Sequence, residues 1–308
     1  MPIDDATPDV HQLPPDRAIL LRNETCPYCS RPFGPLLKAT KEHVIGRRFV
    51  PKGTLAGQWN LILNACISCN HDKSGLEDDI SAIAMIHGLS GQYAIDDDRL
   101  HAETKRKAGG SRSRQTGKLV GDSQEAIELK GDLGFAGFAV NFTAPPQADH
   151  MRMYRLAHYH FRAFFYWMTF QKESNLGGFA PGLFSPLAVV PRSDWGAARV
   201  RWFMRLVRDW RLRIQGVGAD GFFRVIIRRH SADEQVWAWA VEWNRSFRVM
   251  GFAGNRDVIE GLLTQAPEQR AISVHRTEKE IIRLRAEEPL PLDQDDLFVP
   301  FSTAADDM

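Results

Sequence analysis

The chain has 308 residues, 44% of them apolar and 25% charged, the composition of a globular protein with room for two modest domains. No apolar run approaches the ~20 residues of a membrane span, and the opening Met-Pro-Ile-Asp-Asp lacks the basic and then apolar regions of a signal peptide, so the sequence reads as cytoplasmic. The net charge of +1 hides an uneven distribution: residues 148–248 carry 16 Lys/Arg against 8 Asp/Glu, whereas residues 249–308 carry 6 against 12. A basic middle able to meet a polyanion precedes an acidic tail.

Residues 1–18 hold four prolines and four aspartates and predict an irregular lead-in, after which Ala18–Arg22 reads as a short strand. Two Cys-x-x-Cys pairs follow, Cys26/Cys29 and Cys66/Cys69, which account for all the cysteines. Four thiolates suit tetrahedral zinc at roughly 2.3 Å per bond, and Pro27 helps the first pair turn back on itself. With no thiol left over, the pattern fits a structural zinc in a reducing compartment better than a disulfide framework.

Between the pairs lie 36 residues, more than a simple zinc ribbon needs. Residues 42–50 predict the first strand of a hairpin with a bend at Gly46, residues 51–54 a turn, and Trp59–Leu63 the returning strand. Cys66–Ser74 opens a helix that Gly75 is expected to break. Leu76–Gly88 then reads as an amphipathic helix, with Glu77, Asp78 and Asp79 placed well for its dipole.

Residues 96–121 lose the apolar pattern and read as a basic, flexible linker, either a mobile arm on phosphates or a solvated loop. Residues 122–285 predict a second domain of mixed α+β class. Its elements are a buried helix over Met151–Gln171, a helix over Trp195–Trp210, and antiparallel strands over Phe222–Arg229, Val236–Trp243 and Phe247–Phe252. Trp237, Trp239 and Trp243 fall on one strand face, which reads as core packing rather than as a platform for bases. Residues 256–285 predict helices, and 286–308 an acidic, disordered tail.

The order Glu42-His43, Asn60, Cys66-x-x-Cys69-Asn70 and Lys73 resembles the HNH endonuclease family, in particular its zinc-stapled ββα-metal branch, over residues 22–76. The resemblance implies an N-terminal ββα-metal domain within residues 1–95, joined to the mixed domain with its antiparallel sheet. It implies that His43 is the general base and that Glu42, in the place of the usual aspartate, ligates a catalytic Mg²⁺, Mn²⁺ or Ni²⁺. Asn70 takes the place of the second ligand, with His71 as rival. Asn60 takes that of the middle asparagine, with Asn64 as rival, because the stretch to Cys66 is one residue longer than in many members.

The activity implied is metal-dependent nicking or cutting of DNA, expected to be double-stranded, in phage defence, restriction or a mobile element. Lys73, Arg47, Arg48 and Lys52 would contact phosphates, which carries no sequence preference. Two other readings stand beside it. One is a non-catalytic, zinc-stapled nucleic-acid-binding module; the other is a nuclease switched by a ligand or partner at the C-terminal domain.

Overall fold

The computed structural model describes residues 10–12, 16–89, 93–123, 125–132, 137–144, 149–268, 272–276, 281–284 and 287–299. In chain order the elements are β1 (His11–Gln12), β2 (Ile19–Leu20), β3 (Ala39–His43), β4 (Leu61–Cys66), α1 (Ile67–Leu89), α2 (Asp98–Ala108), β5 (Glu125–Asp132), β6 (Gly137–Ala144) and α3 (His150–Met168). They continue as β7 (Leu183–Pro191), α4 (Ala198–Val207), β8 (Arg211–Gly218), β9 (Phe223–Arg229), β10 (Val236–Trp243), β11 (Phe247–Gly254), α5 (Arg256–Leu263), β12 (Ile272–Arg276) and β13 (Ile281–Leu284). The class is mixed α+β with largely antiparallel sheets. No helix among the described residues is long and apolar enough to cross a membrane.

The N-terminal unit is a small sheet in the order β2-β4-β3, in which β3 and β4 are antiparallel and β3 forms an edge. Its first long strand starts and ends earlier than the sequence suggests. Ala39–His43 pairs with Ile62–Cys66, whereas residues 44–60 form a loop. Part of that loop is held by backbone turns, such as the Phe49 amide on the Gly46 carbonyl at 2.8 Å, and part by a side chain: Asn60 accepts from the Ile45 amide at 3.1 Å and donates to its carbonyl at 2.8 Å.

From Cys66 the chain passes directly into α1, which runs through Gly75 without a break. A mid-helix glycine costs about 1 kcal/mol, less than is gained by burying Leu76, Ile80 and Ile83 on the same helix.

Residues 96–121 are not a free linker either. Asp97 caps α2 by accepting from the Arg99 and Leu100 amides, Leu100 is buried, and the Lys107 ammonium reaches the Ser81 hydroxyl on α1. Burial brings the Lys107 ammonium down to about 8. Beyond the helix, the Arg114 amide donates to Asp79 at 2.9 Å.

The larger sheet has the order β1-β8-β9-β10-β11-β7, antiparallel except for the parallel β1–β8 pair. His11–Gln12 within the lead-in thus joins the far end of the chain. Every residue of β10 is buried because both sheet faces are covered. Trp237, Trp239 and Trp243 face α3 and the N-terminal unit in one core, and Ala238 and Ala240 face α4 and α5 in another. The tryptophans are core, packed on Phe165, Phe184 and Phe49 respectively.

That first core also contains Leu61, Leu63, Ile80 and Ile83, so the N-terminal unit and the C-terminal sheet share a hydrophobic interior. Asn244 donates to the Phe49 carbonyl at 3.1 Å, and Ser246 to the Ala84 carbonyl at 2.7 Å.

The predicted helices over 256–285 are found only in part: α5 is followed by the β12–β13 hairpin. The predicted disordered tail is ordered over 287–299. Leu297 and Phe298 are buried, Asp295 pairs with Arg248, and Arg208 meets Asp296 at 2.7 Å. Residues 300–308 lie outside the described residues.

Candidate functional site: a cysteine cluster and a sealed carboxylate

The first Cys-x-x-Cys turn lies between β2 and β3, and the second joins β4 to α1, so hairpin, turn and helix start converge. The four Sγ atoms lie within 4.8 Å of one another, and Cys29 and Cys66 are 3.8 Å apart, the edge expected of a tetrahedron with bonds of about 2.3 Å. Burial pushes the Cys26 thiol up to about 11, and burial with crowding by neighbouring sulfurs raises Cys69 further. Against burial, hydrogen bonds from Arg31 bring the Cys29 thiol down to about 7. Donor set and geometry fit zinc, and Arg31 adds a cation 3.5 Å from Cys29.

Helix α1 lies along β3 in register. Asn70, Lys73 and Glu77 are spaced i, i+3 and i+7, on one helix face, and meet Thr40, Glu42 and the start of the loop in turn. Asn70 donates to the Thr40 hydroxyl at 2.9 Å. The Lys73 ammonium lies 2.8 Å from Glu42, 2.6 Å from Glu77 and 3.4 Å from the His43 carbonyl. Glu77 also accepts from the Gly46 amide at 3.3 Å, and a Cβ at residue 46 would strike its carboxylate. The bend is glycine because the carboxylate lies there.

Lys73 is 1% exposed and Glu42 5%. Tyr28, whose phenol burial and the nearby Glu42 keep protonated, donates to Glu42 at 3.2 Å. Burial opposes charge on Lys73, but Glu77 and Glu42 outweigh it and hold the ammonium protonated. Glu77 is ionised against it for the same reason, burial notwithstanding. Glu42, the second carboxylate on a shared cation, is raised by burial. Fully buried His160 packs 3.9 Å from Glu77 and is lowered to about 4, chiefly by burial.

His43 ends the edge strand and, by strand alternation, points away from Glu42. It is half-buried. Burial first, then Arg47 and Lys41, hold its imidazole below its ordinary value, so it is neutral at pH 7. Lys41, Arg47, Arg48 and Lys52 are exposed.

The sequence-assigned residues therefore separate. His43, Arg47, Arg48 and Lys52 lie at the surface, Lys41 joins them, and Asn60 clamps the loop after His43. Asn64 donates to the Asn23 carbonyl at 3.2 Å, away from this loop clamp. Lys73 is corrected from a phosphate contact to a buried counter-ion. The divalent-ion set also does not fit. Glu42 is closed by Lys73 and Tyr28, Asn70 is turned to Thr40, and His71 is exposed. Among the described residues, no three His, Cys, Asp or Glu ligand atoms come together other than at the cysteines.

Sequence reading missed Tyr28, Lys41, Glu77 and His160. Only Glu77, four residues after Lys73, carried a local signal. The chain matches no protein-family model, no curated protein and no solved structure.

Proposed function

We propose that the zinc-stapled hairpin and helix form an HNH-type endonuclease site that hydrolyses phosphodiester bonds of double-stranded DNA, with His43 as general base. The observation that carries the reading is a neutral, half-buried imidazole at the end of an edge strand, with Lys41 and Arg47 beside it. A base must be unprotonated to take a proton from water, and the depressed His43 meets that need at neutral pH. Lys41 and Arg47 offset the charge of the scissile phosphate, and Arg48 and Lys52 extend the cationic surface along the loop. Asn60 and Glu77 fix the loop at Ile45 and Gly46, which limits the travel of His43. No step is drawn through a divalent ion at Glu42.

A second reading, a non-catalytic nucleic-acid-binding module, is favoured by the closure of Glu42 over Lys73. Supercoiled plasmid separates the two. Zinc-loaded protein, with no added divalent ion and with Mg²⁺, Mn²⁺ or Ni²⁺, is expected to yield relaxed or linear product. Plasmid that is bound but uncut under all four conditions supports the binding module.

A further inference from the structure

An ammonium has three N–H donors and no acceptor. Lys73 meets an acceptor for each: Glu42 at 2.8 Å, Glu77 at 2.6 Å and the His43 carbonyl at 3.4 Å. Two elements supply them: β3 gives the Glu42 carboxylate and the His43 carbonyl, and α1 itself gives Glu77. The lysine is sealed, at 1% exposure, under the hairpin. We propose that Lys73 is a tethered cation standing in for a divalent ion at Glu42, so that this chain binds no exchangeable metal on that carboxylate.

Charge and space support this. A divalent ion on Glu42 would sit beside a fixed ammonium with little solvent between them, and like charges at such separations repel strongly when buried. Moving the ammonium aside would leave Glu42 and Glu77 facing each other inside the protein, with one interacting cation removed. Breaking a buried pair in this way is costly. The Tyr28 hydroxyl takes a further position on the same Glu42 oxygen, Oε1, so two protein donors already occupy that atom. Glu77, which a divalent site at Glu42 would not require, is explained as the second counter-charge of the lysine.

The inference rests on the HNH-type reading only for where an ion would be expected, and its test does not involve cleavage. Mn²⁺ is titrated into the zinc-loaded full chain and followed by electron paramagnetic resonance. The parent and Glu42→Gln should give the same curve, with no site tighter than about 1 mM that depends on Glu42. Lys73→Met should gain one Mn²⁺ site at least about tenfold tighter, lost again when Glu42→Gln is added. A parent site that disappears with Glu42→Gln overturns the proposal, as does folded Lys73→Met that gains nothing. Should Lys73→Met fail to fold, the parent and Glu42→Gln curves decide alone: coincidence upholds the stand-in, and a lost site overturns it.

Discussion

In each half of the chain a buried cation lies between two carboxylates, and the two clusters do different things. Lys73 sits between Glu42 and Glu77. Arg248 sits between Glu242, at 2.9 Å, and Asp295, with its guanidinium 3.6 Å over the Trp195 ring. The Arg248 cluster joins the sheet to residues 287–299 and has core on both sides. The Lys73 cluster has core on one side and, across a single strand, a half-buried histidine with exposed cations beside it. What distinguishes a candidate site from a staple here is the neighbour across the strand, since the buried charges themselves are nearly alike.

The largest expected effect precedes both clusters. Cys66→Ser should lose bound zinc and loosen the unit that carries Lys73, because the four thiolates tie the first turn to the start of α1 and binding energy at such a site is folding energy. Elemental analysis with circular dichroism reports it. Next, Lys73→Met and Arg248→Met should each cost about 3–5 kcal/mol in urea unfolding, since each removes a buried cation shared by two carboxylates. They should diverge in limited proteolysis: only Arg248→Met should free the segment around Asp295 for cutting. If both variants free it, the clusters are one unit and the comparison fails.

A smaller effect concerns acid. The unfolded chain protonates His160 near 6.5, but burial delays protonation in the folded chain to about 4. Between those values the unfolded state binds more protons, so stability falls as pH drops, by up to about 3 kcal/mol from this group. Urea midpoints at pH 7 and pH 5 should differ less in His160→Leu than in the parent. The smallest stability effect is expected from Arg47→Ala and Arg48→Ala, within about 0.5 kcal/mol, while each lowers the salt slope of plasmid binding by about 1.

The cysteine cluster was legible because ligation demands particular residue types at fixed spacing, and the β10 tryptophans because strand alternation assigns faces from sequence alone. Other features depended on partners far along the chain. Nothing near Lys73 announces that Glu42 will lie opposite it, so an amine beside a Cys-x-x-Cys-Asn turn looked like a phosphate contact. Residues 96–121 have the composition of a solvated linker, yet Leu100 and Lys107 turn inward onto α1. The acidic tail looked disordered because the guanidinium that orders Asp295 is on another strand.

The central claim, that His43 is the working base of a phosphodiesterase site, is tested most directly by the plasmid-cleavage rate of His43→Ala beside the parent. The variant should keep its zinc, its circular dichroism and its plasmid affinity, because binding rests on Lys41, Arg47 and their neighbours, and should lose cleavage by about 100-fold or more. A folded, zinc-loaded His43→Ala that cuts at the parent rate would contradict the account.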